Sequence, residues 1–503
     1  MRVPSLAFAA CLCAIFAALT ACAPIRGQGG AAAASGAPAG PPPPVREFRA
    51  AWVATVDNID WPSRRGLPAA QARAELDAIV ARAAELGLNA LVLQVRPAGD
   101  ALYRSELEPW SEYLTGAQGR APDADWDPLA FAIDRCHRRG LQLHAWCNPF
   151  RAWHPSATSR PSPDHVLSRL PEACVRYGSL RWMDPGDERA VEWSLAVLCD
   201  IVARYDVDGL HIDDYFYPYP EGGAAFPDDA SFGRYRARGG RLDRGAWRRS
   251  NVDTFVERLW RSVHEIKPWV QFGISPFGIA RPGVPRGIAA GVDQFEHLSA
   301  DVRRWLREGW LDYLAPQLYW PIDQKPQSFA VLLPWWHEQN ERQRHVWPGL
   351  DGNRILLQKP PVRRDELAAQ LALVRAAAPR SPGFVLYSFR ALRDDAPALG
   401  GALRAQLGRE PVLAPASPWL GDRTPAAPQA RIELGREHHT LRWTADADVR
   451  FLVVQVRGAN GWRTHAIVGA QNGAEVLPVD AKEVVVRTVS RTGALGEPVW
   501  PRW

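Results

Sequence analysis

The chain carries little excess charge: its formal net charge is +5 over 503 residues. That is too slight to draw in a polyanion, so the lysines and arginines read as solvated faces and no nucleic-acid partner is expected. It has no Gly-rich phosphate turn of the kind that opens a nucleotide-binding sheet. Cysteine is scarce as well, with 7 in all and none in a Cys-x-x-Cys pair, which argues against a zinc site; no metal or cofactor is expected. Cys136, Cys147, Cys174 and Cys199 are expected to be buried free thiols.

Long hydrophobic runs are also missing. The one candidate, MRVPSLAFAACLCAIFAALTAC, is too short to serve as a membrane span and reads as an export signal over residues 1–21. Its end, Leu19-Thr20-Ala21-Cys22, resembles the lipobox at which bacterial lipoproteins are cleaved and acylated. The resemblance implies a lipid on Cys22 that holds the chain to a membrane. Ala23 after the cysteine implies sorting to the outer membrane, facing the periplasm. Residues 22–45, nearly all Gly, Ala, Ser and Pro from Gly27 on, cannot bury a core and read as a tether.

Beyond the tether the chain alternates regularly. Eight short apolar runs occur: Phe48–Val56, Ala90–Val95, Gln142–Cys147, Gly209–Asp213, Val270–Ser275, Asp312–Tyr319, His345–Leu350 and Gly383–Ser388. Between them lie helical stretches such as AELDAIVARAAELG and VDTFVERLWRSVHEIK, with apolar residues at i, i+3, i+4 and i+7. Eight strand–helix units over 46–408 predict an α/β fold, a closed (β/α)8 TIM barrel. After a proline-rich stretch at Arg409–Leu420 the period changes to short alternating strands, including His439–Trp443, Val449–Arg457 and Glu483–Val489. Residues 409–503 therefore read as a small all-β sandwich of fibronectin type III or immunoglobulin-like kind, a module that binds or positions rather than catalyses.

In such a barrel the chemistry belongs at the C-terminal ends of the strands. Polar residues recur there: Asp57 near Trp61 after the first run, Arg96 with Asp100 after the second, and Asn148 with Arg151 after the third. Asp213, Asp214 and Tyr215 close the fourth run, Gln317, Tyr319 and Trp320 the sixth, and Asp351 the seventh. Aromatic rings stack on the apolar faces of pyranoses while amides and carboxylates take hydroxyls, and 22 tryptophans strengthen that reading. A glycan polymer is thus the expected partner, with the other residues binding substrate and Asp213 and Asp214 supplying the carboxylates a glycosidase needs. Strand neighbours point to opposite faces, so the two can share the mouth only if the strand has ended there.

The motifs FRAAWVATVDNIDWP, QVRPAGDALY, PWSEYLTG, HAWCNPFR, GLHIDDYFYPYP, GISPFGIAR and APQLYW resemble those of the glycosyl-hydrolase-like family ten, which includes divisome-localised glycosyl hydrolases. The likeness covers about Arg46 to Ala391. It implies a barrel that binds or cuts peptidoglycan strands stripped of their stem peptides, with cell-division proteins as partners. The fourth-run motif is also similar to the chitinase pattern Asp-Gly-x-Asp-x-Asp-x-Glu, with Asp208, Gly209 and Asp213 matching; His211 replaces an aspartate and Tyr215 the acid glutamate. Tyr319 matches the tyrosine that steadies an acetamido group. The resulting expectation is an endo-acting hydrolase of N-acetylated glycan with Asp214 as general acid and Asp213 orienting the acetamido group or a water, while Asp57, Asp100 and Asp351 stay open as opposing carboxylates. A non-catalytic glycan-binding lipoprotein and a hydrolase of poly-N-acetylglucosamine are the alternatives.

Overall fold

The apolar runs become parallel strands that are buried on both faces, as runs without polar alternation must be. The computed structural model describes residues 40–123, 125–356, 362–393, 397–471 and 473–502. Cys22, the export signal and most of the tether lie outside them. The strands are Phe48–Val53 (β1), Ala90–Arg96 (β2), Gln142–Cys147 (β3), Gly209–Ile212 (β4), Gln271–Ile274 (β5), Tyr313–Leu314 (β6), His345–Val346 with Gly349–Asp351 (β7), and Gly383–Tyr387 (β8). Each pairs in parallel with its sequence neighbour, and β1 also pairs with β8 through Phe48↔Gly383.

Closure depends on the seventh run. Proline has no N–H for a ladder, and Trp347-Pro348 divides β7 in two. The first half pairs with β6, His345 opposite Tyr313, and the second with β8, Asp351 opposite Tyr387. The two ends of the sheet are therefore one strand, and the barrel closes. Gly349 N–H donating to the Pro316 carbonyl at 2.8 Å and Leu318 N–H to the Gly349 carbonyl at 3.0 Å complete the seam.

Helices Ala69–Glu85, Pro128–Arg138, Glu188–Arg204, Arg244–Ile266 and Glu366–Ala377 clothe the outside. Glu188–Arg204 shows why: Ala190, Ser194, Leu195, Leu198, Ile201 and Val202 recur at helical spacing and are buried, and the Asp187 carboxylate caps its start. Inside the barrel Phe48, Trp52, Tyr313 and Trp347 fill the lumen. The Tyr313 hydroxyl sits 2.9 Å from both His144 Nδ1 and His211 Nδ1. The four cysteines are unpaired, three of them buried. Among the described residues no helix is long and apolar enough to cross a membrane.

The C-terminal part is all-β: Gln429–Glu433 (β9), His439–Thr444 (β10), Val449–Gly458 (β11), Gly461–Gly469 (β12), Gly473–Leu477 (β13) and Glu483–Ser490 (β14). They form two antiparallel sheets, β9-β10-β13 and β12-β11-β14, which share a core of Leu441, Trp443, Leu452, Val454, Leu477 and Val486. This module seals the floor of the barrel, at the N-terminal ends of the strands. Arg450 Nε lies 2.9 Å from Asp208 just before β4, and both are buried. Ser417, in the linker, hydrogen-bonds Gln271 of β5 at 2.6 Å and His345 of β7 at 3.0 Å. Gly140 lets the module in: at φ +71° a Cβ there would meet the Ile467 carbonyl at 2.2 Å.

Candidate active site

The opposite end of the barrel is lined by the strand-end residues. His211 faces the lumen, where its imidazole meets the Tyr313 hydroxyl and the Ser275 hydroxyl, both at 2.9 Å. Asp213, two residues on, faces the same way. Because β4 stops at Ile212, Asp214 is released from the alternation and joins Asp213 at the mouth. Both are buried, 4% and 3% exposed.

Asp213 is held from β3. Trp146 Nε1 donates to its Oδ2 at 3.0 Å, and Asn148 Nδ2 lies 3.2 Å from each oxygen. Asn148 is itself fixed by accepting the Arg151 backbone N–H at 2.9 Å. Burial pushes the Asp213 carboxyl upward, while the Arg151 charge and these donors pull it back. Asp214 has no such cation. Burial and the adjacent Asp213 push it up to about 7, against hydrogen bonds from Tyr219 and Gln317. The Tyr219 hydroxyl bonds Asp214 Oδ2. Asp213 thus accepts from two fixed donors, while Asp214 exchanges its proton near neutral pH.

The walls come from β6, β7 and β8. Gln317 Nε2 donates to the Ser275 carbonyl at 2.9 Å. Tyr319 packs against Tyr387 with ring centres 5.6 Å apart. Its phenol is raised well above its usual value by burial, then by Tyr387, Asp214 and Asp351. A Cβ at Gly349 would come within 2.8 Å of the Trp52 ring and 3.3 Å of Tyr319, so Gly349 faces the lumen; Asp351, two further on, does too. Asp351 Oδ1 accepts the Arg354 N–H at 2.9 Å. Tyr215 is half-buried beneath the Arg151 guanidinium, 4.9 Å above its ring, and Trp320 stands edge-on to Phe277 at 5.7 Å.

The structure therefore gathers Asp213, Asp214, Asn148, Arg151, Tyr215, Gln317, Tyr319, Trp320 and Asp351. Three of the expected substrate ligands are buried and engaged by the protein itself. Trp61 is fully buried in the outer core, its Nε1 donating to the Ala72 carbonyl at 2.9 Å, because the chain turns back under the first loop. Arg96 is fully buried and neutralised by Glu108 at 2.5 Å, with its remaining donors on the Asn148 and Pro149 carbonyls. Asp100 is 1% exposed and belongs to the Ala98–Glu112 loop, where it accepts the Ala98 N–H at 3.1 Å. Burial and its neighbour Glu108 push it up to about 6, against the Ser111 hydroxyl. Asp57 is exposed on the rim, in a left-handed conformation at φ 53°, 3.6 Å from Arg65.

Tyr219, Tyr387 and the role of Trp146 escaped the sequence reading; the end of β8, taken on the same terms as the other strand ends, points to Tyr387. A separate cavity of about 770 Å³ lies between Glu188–Arg204 and Arg244–Ile266. Its Arg189, Arg234, Arg238 and Arg258 are paired with Asp187, Glu188 and Glu192, and it holds none of the mouth residues. Among the described residues no three His, Cys, Asp or Glu side chains gather to hold a metal.

Residues 47–361 match the family described as Glycosyl hydrolase-like 10. Glycosyl hydrolase YngK of Bacillus subtilis (strain 168) is 36% identical over 398 residues, 76% of this chain and 76% of its own. Glycosyl hydrolase DigH of Escherichia coli (strain K12) is 34% identical over 328 residues, 59% of this chain and 73% of its own. Among solved structures, the PgaB (BpsB) glycoside hydrolase domain from Bordetella bronchiseptica covers 71% of this chain and 99% of its own at 15% identity and TM-score 0.46, a likeness too low to bear on the chemistry.

Proposed function

This chain belongs to the glycosyl hydrolase-like 10 family, and on that premise we propose that it cuts the glycan of peptidoglycan strands lacking stem peptides, as an endo-acting β-1,4 hydrolase of N-acetylated sugars. The observation that carries this reading is the adjacent pair at the mouth, Asp213 held by Trp146 and Asn148, Asp214 pushed up to about 7. Asp214 donates a proton to the leaving oxygen. Asp213 orients the substrate's acetamido group, whose own oxygen attacks the anomeric carbon; water then opens the cyclic intermediate, and Asp214, now ionised, takes the water's proton. Tyr319 hydrogen-bonds the acetamido oxygen, and Tyr215 and Trp320 offer ring faces to neighbouring sugars. The test is purified protein on amidase-treated sacculi. Soluble fragments support hydrolysis, retention on sacculi without release supports a non-catalytic binder, and release only from poly-N-acetylglucosamine moves the substrate to that polymer.

Asp351 favours a second reading. It faces the lumen from β7, a different strand from the one that leads to Asp214, and an inverting enzyme needs a second carboxylate of that kind as its base. The anomer released decides between them: acetamido assistance retains configuration, whereas a water activated by Asp351 inverts it.

We also place the protein at the cell envelope, lipid-anchored through Cys22 to the outer membrane on its periplasmic face, with cell-division proteins as partners. Fatty-acid labelling of wild type but not Cys22→Ser tests the anchor. For the module we propose a fibronectin type III-like sandwich: isolated bridges Val486↔Val499 and Val489↔Leu495 add a rudimentary seventh strand beside β14, as that arrangement requires.

A further inference from the structure

The module has two ends of opposite character. Its barrel end holds Arg450, the Ile467 carbonyl and Gly469, all packed on the barrel floor. Following β11 and β12 away from the barrel leads to the Gly458–Gly461 hairpin, and register places other turns at the same end. Glu433 lies opposite Thr440 and Thr440 opposite Val476, while Asp480 accepts from Arg463 Nη2 at 2.7 Å. This far tip collects apolar surface. Leu434 is 66% exposed, Val476 54%, Val479 84% and Trp500 48%, four of the eight exposed large apolar side chains among the described residues. Trp462 stands against Trp500 with ring centres 5.6 Å apart. Arg436 and Lys482 are exposed at the rim.

The path of the chain points to the same tip. Arg46 is tied at the barrel end, donating to the Ala414 carbonyl at 2.8 Å and the Gly493 carbonyl at 2.7 Å. Followed backward, the chain runs beside β11, where Gln455 Nε2 donates to the Pro42 carbonyl at 2.9 Å. Gln455 lies four residues nearer the tip than Phe451. The last residues of the segment read as a tether are thus laid along the module, heading away from the barrel.

We propose that this tip is a bilayer-docking surface. Val479, Leu434 and the Trp462–Trp500 pair enter the interfacial region of a leaflet, Arg436 and Lys482 meet anionic headgroups, and the barrel mouth faces away from the membrane. Exposed aliphatic residues argue for lipid over glycan, because hydrocarbon accepts them whereas a sugar platform needs ring faces and polar groups. The choice of a bilayer as occupant rests on the envelope reading of the chain, so the test keeps the two apart.

Hydrogen exchange of the processed full chain is measured free, with vesicles of phosphatidylethanolamine and phosphatidylglycerol, and with denuded glycan, while fatty-acid analysis of the same preparation reports on Cys22. Vesicles are expected to slow exchange about tenfold at 434–438, 458–463 and 478–483 and to leave 213–219 unchanged, whether or not Cys22 is acylated. Val479→Asp with Trp500→Ser should cost about tenfold in vesicle affinity for unacylated chain, with cooperative unfolding retained because neither side chain is in the core. Vesicle binding with no protection at the tip, protection by glycan instead of vesicles, or no loss in the double variant overturns the proposal. Absence of acylation alone overturns only the anchor.

Discussion

Asp208 and Asp213 bracket one strand, β4, and both are buried, yet their surroundings differ. At the floor, burial pushes Asp208 up, but the charges of Arg450 and His137 and the Leu143 N–H outweigh it, and the carboxyl is held well below the usual range. At the mouth, burial is the larger influence on both carboxylates, and Asp213 and Asp214 are raised. A buried carboxylate with a full counter-ion is a structural part. One left short of charge compensation is poised to exchange a proton, which a glycosidase needs.

The comparison breaks most severely if the floor is removed. Deleting everything after Pro411 strips Arg450 from Asp208, Ser417 from Gln271 and His345, and Trp419 from Asp312. The truncated barrel is expected to be insoluble or molten on expression; a soluble barrel with cooperative unfolding would show that the module is not the floor's counter-ion. Next comes the mouth. Asp214→Asn keeps the shape of the side chain but cannot donate a proton, and should cost about 10²–10⁴ in kcat on denuded glycan with binding retained. Wild-type activity should fall as pH rises through about 7, where Asp214 loses its proton. Near-wild-type rates for both Asp214→Asn and Asp213→Asn would move the chemistry to Asp351.

Arg450→Met sharpens the contrast from the other side, leaving the buried Asp208 with only His137 and the Leu143 N–H; about 3 kcal/mol of stability should be lost at pH 7 in denaturant unfolding, the low end for a broken buried pair because His137 remains. Because the folded state lowers the Asp208 pKa, the contribution of the pair is present above the unfolded value of about 4 and is lost as pH falls toward the folded one. The gap between wild type and variant should therefore shrink in acid.

Much of the barrel was legible because strand and helix periods differ and repeat eight times. The break in β7 was hidden inside the run His345–Leu350, since only the pairing shows that Pro348 hands the strand from one neighbour to the other. Position at a strand end correctly brought Asp213, Asn148, Gln317 and Tyr319 into one place. It misread Arg96, whose neutralising partner Glu108 lies in the following loop, and Trp61, because a loop that folds back onto the Ala69–Glu85 helix looks in sequence like one that borders the mouth. Alternation predicted that Asp213 and Asp214 would diverge within a strand. The end of β4 at Ile212, set by the register with β3 and β5, is what unites them.

Tyr219 gives the smallest and most discriminating effect. Within the run Tyr215-Phe216-Tyr217-Pro218-Tyr219 no pattern singled it out, yet its hydroxyl bonds Asp214 and favours the ionised form. Tyr217, by contrast, is fully buried and raised first by burial, then by Asp184. Losing the Tyr219 hydrogen bond removes stabilisation of the carboxylate, so in Tyr219→Phe the Asp214 proton should be held to higher pH. The alkaline limb of kcat/KM should move up by about one pH unit, the size expected for one hydrogen bond to a charged group. Acidic-limb activity should be close to wild type, because the protonated acid is already the active form there. If Tyr219 were only a packing residue, kcat would fall at every pH and the limb would stay in place, and an unmoved limb would separate Asp214 from the proton that controls the rate.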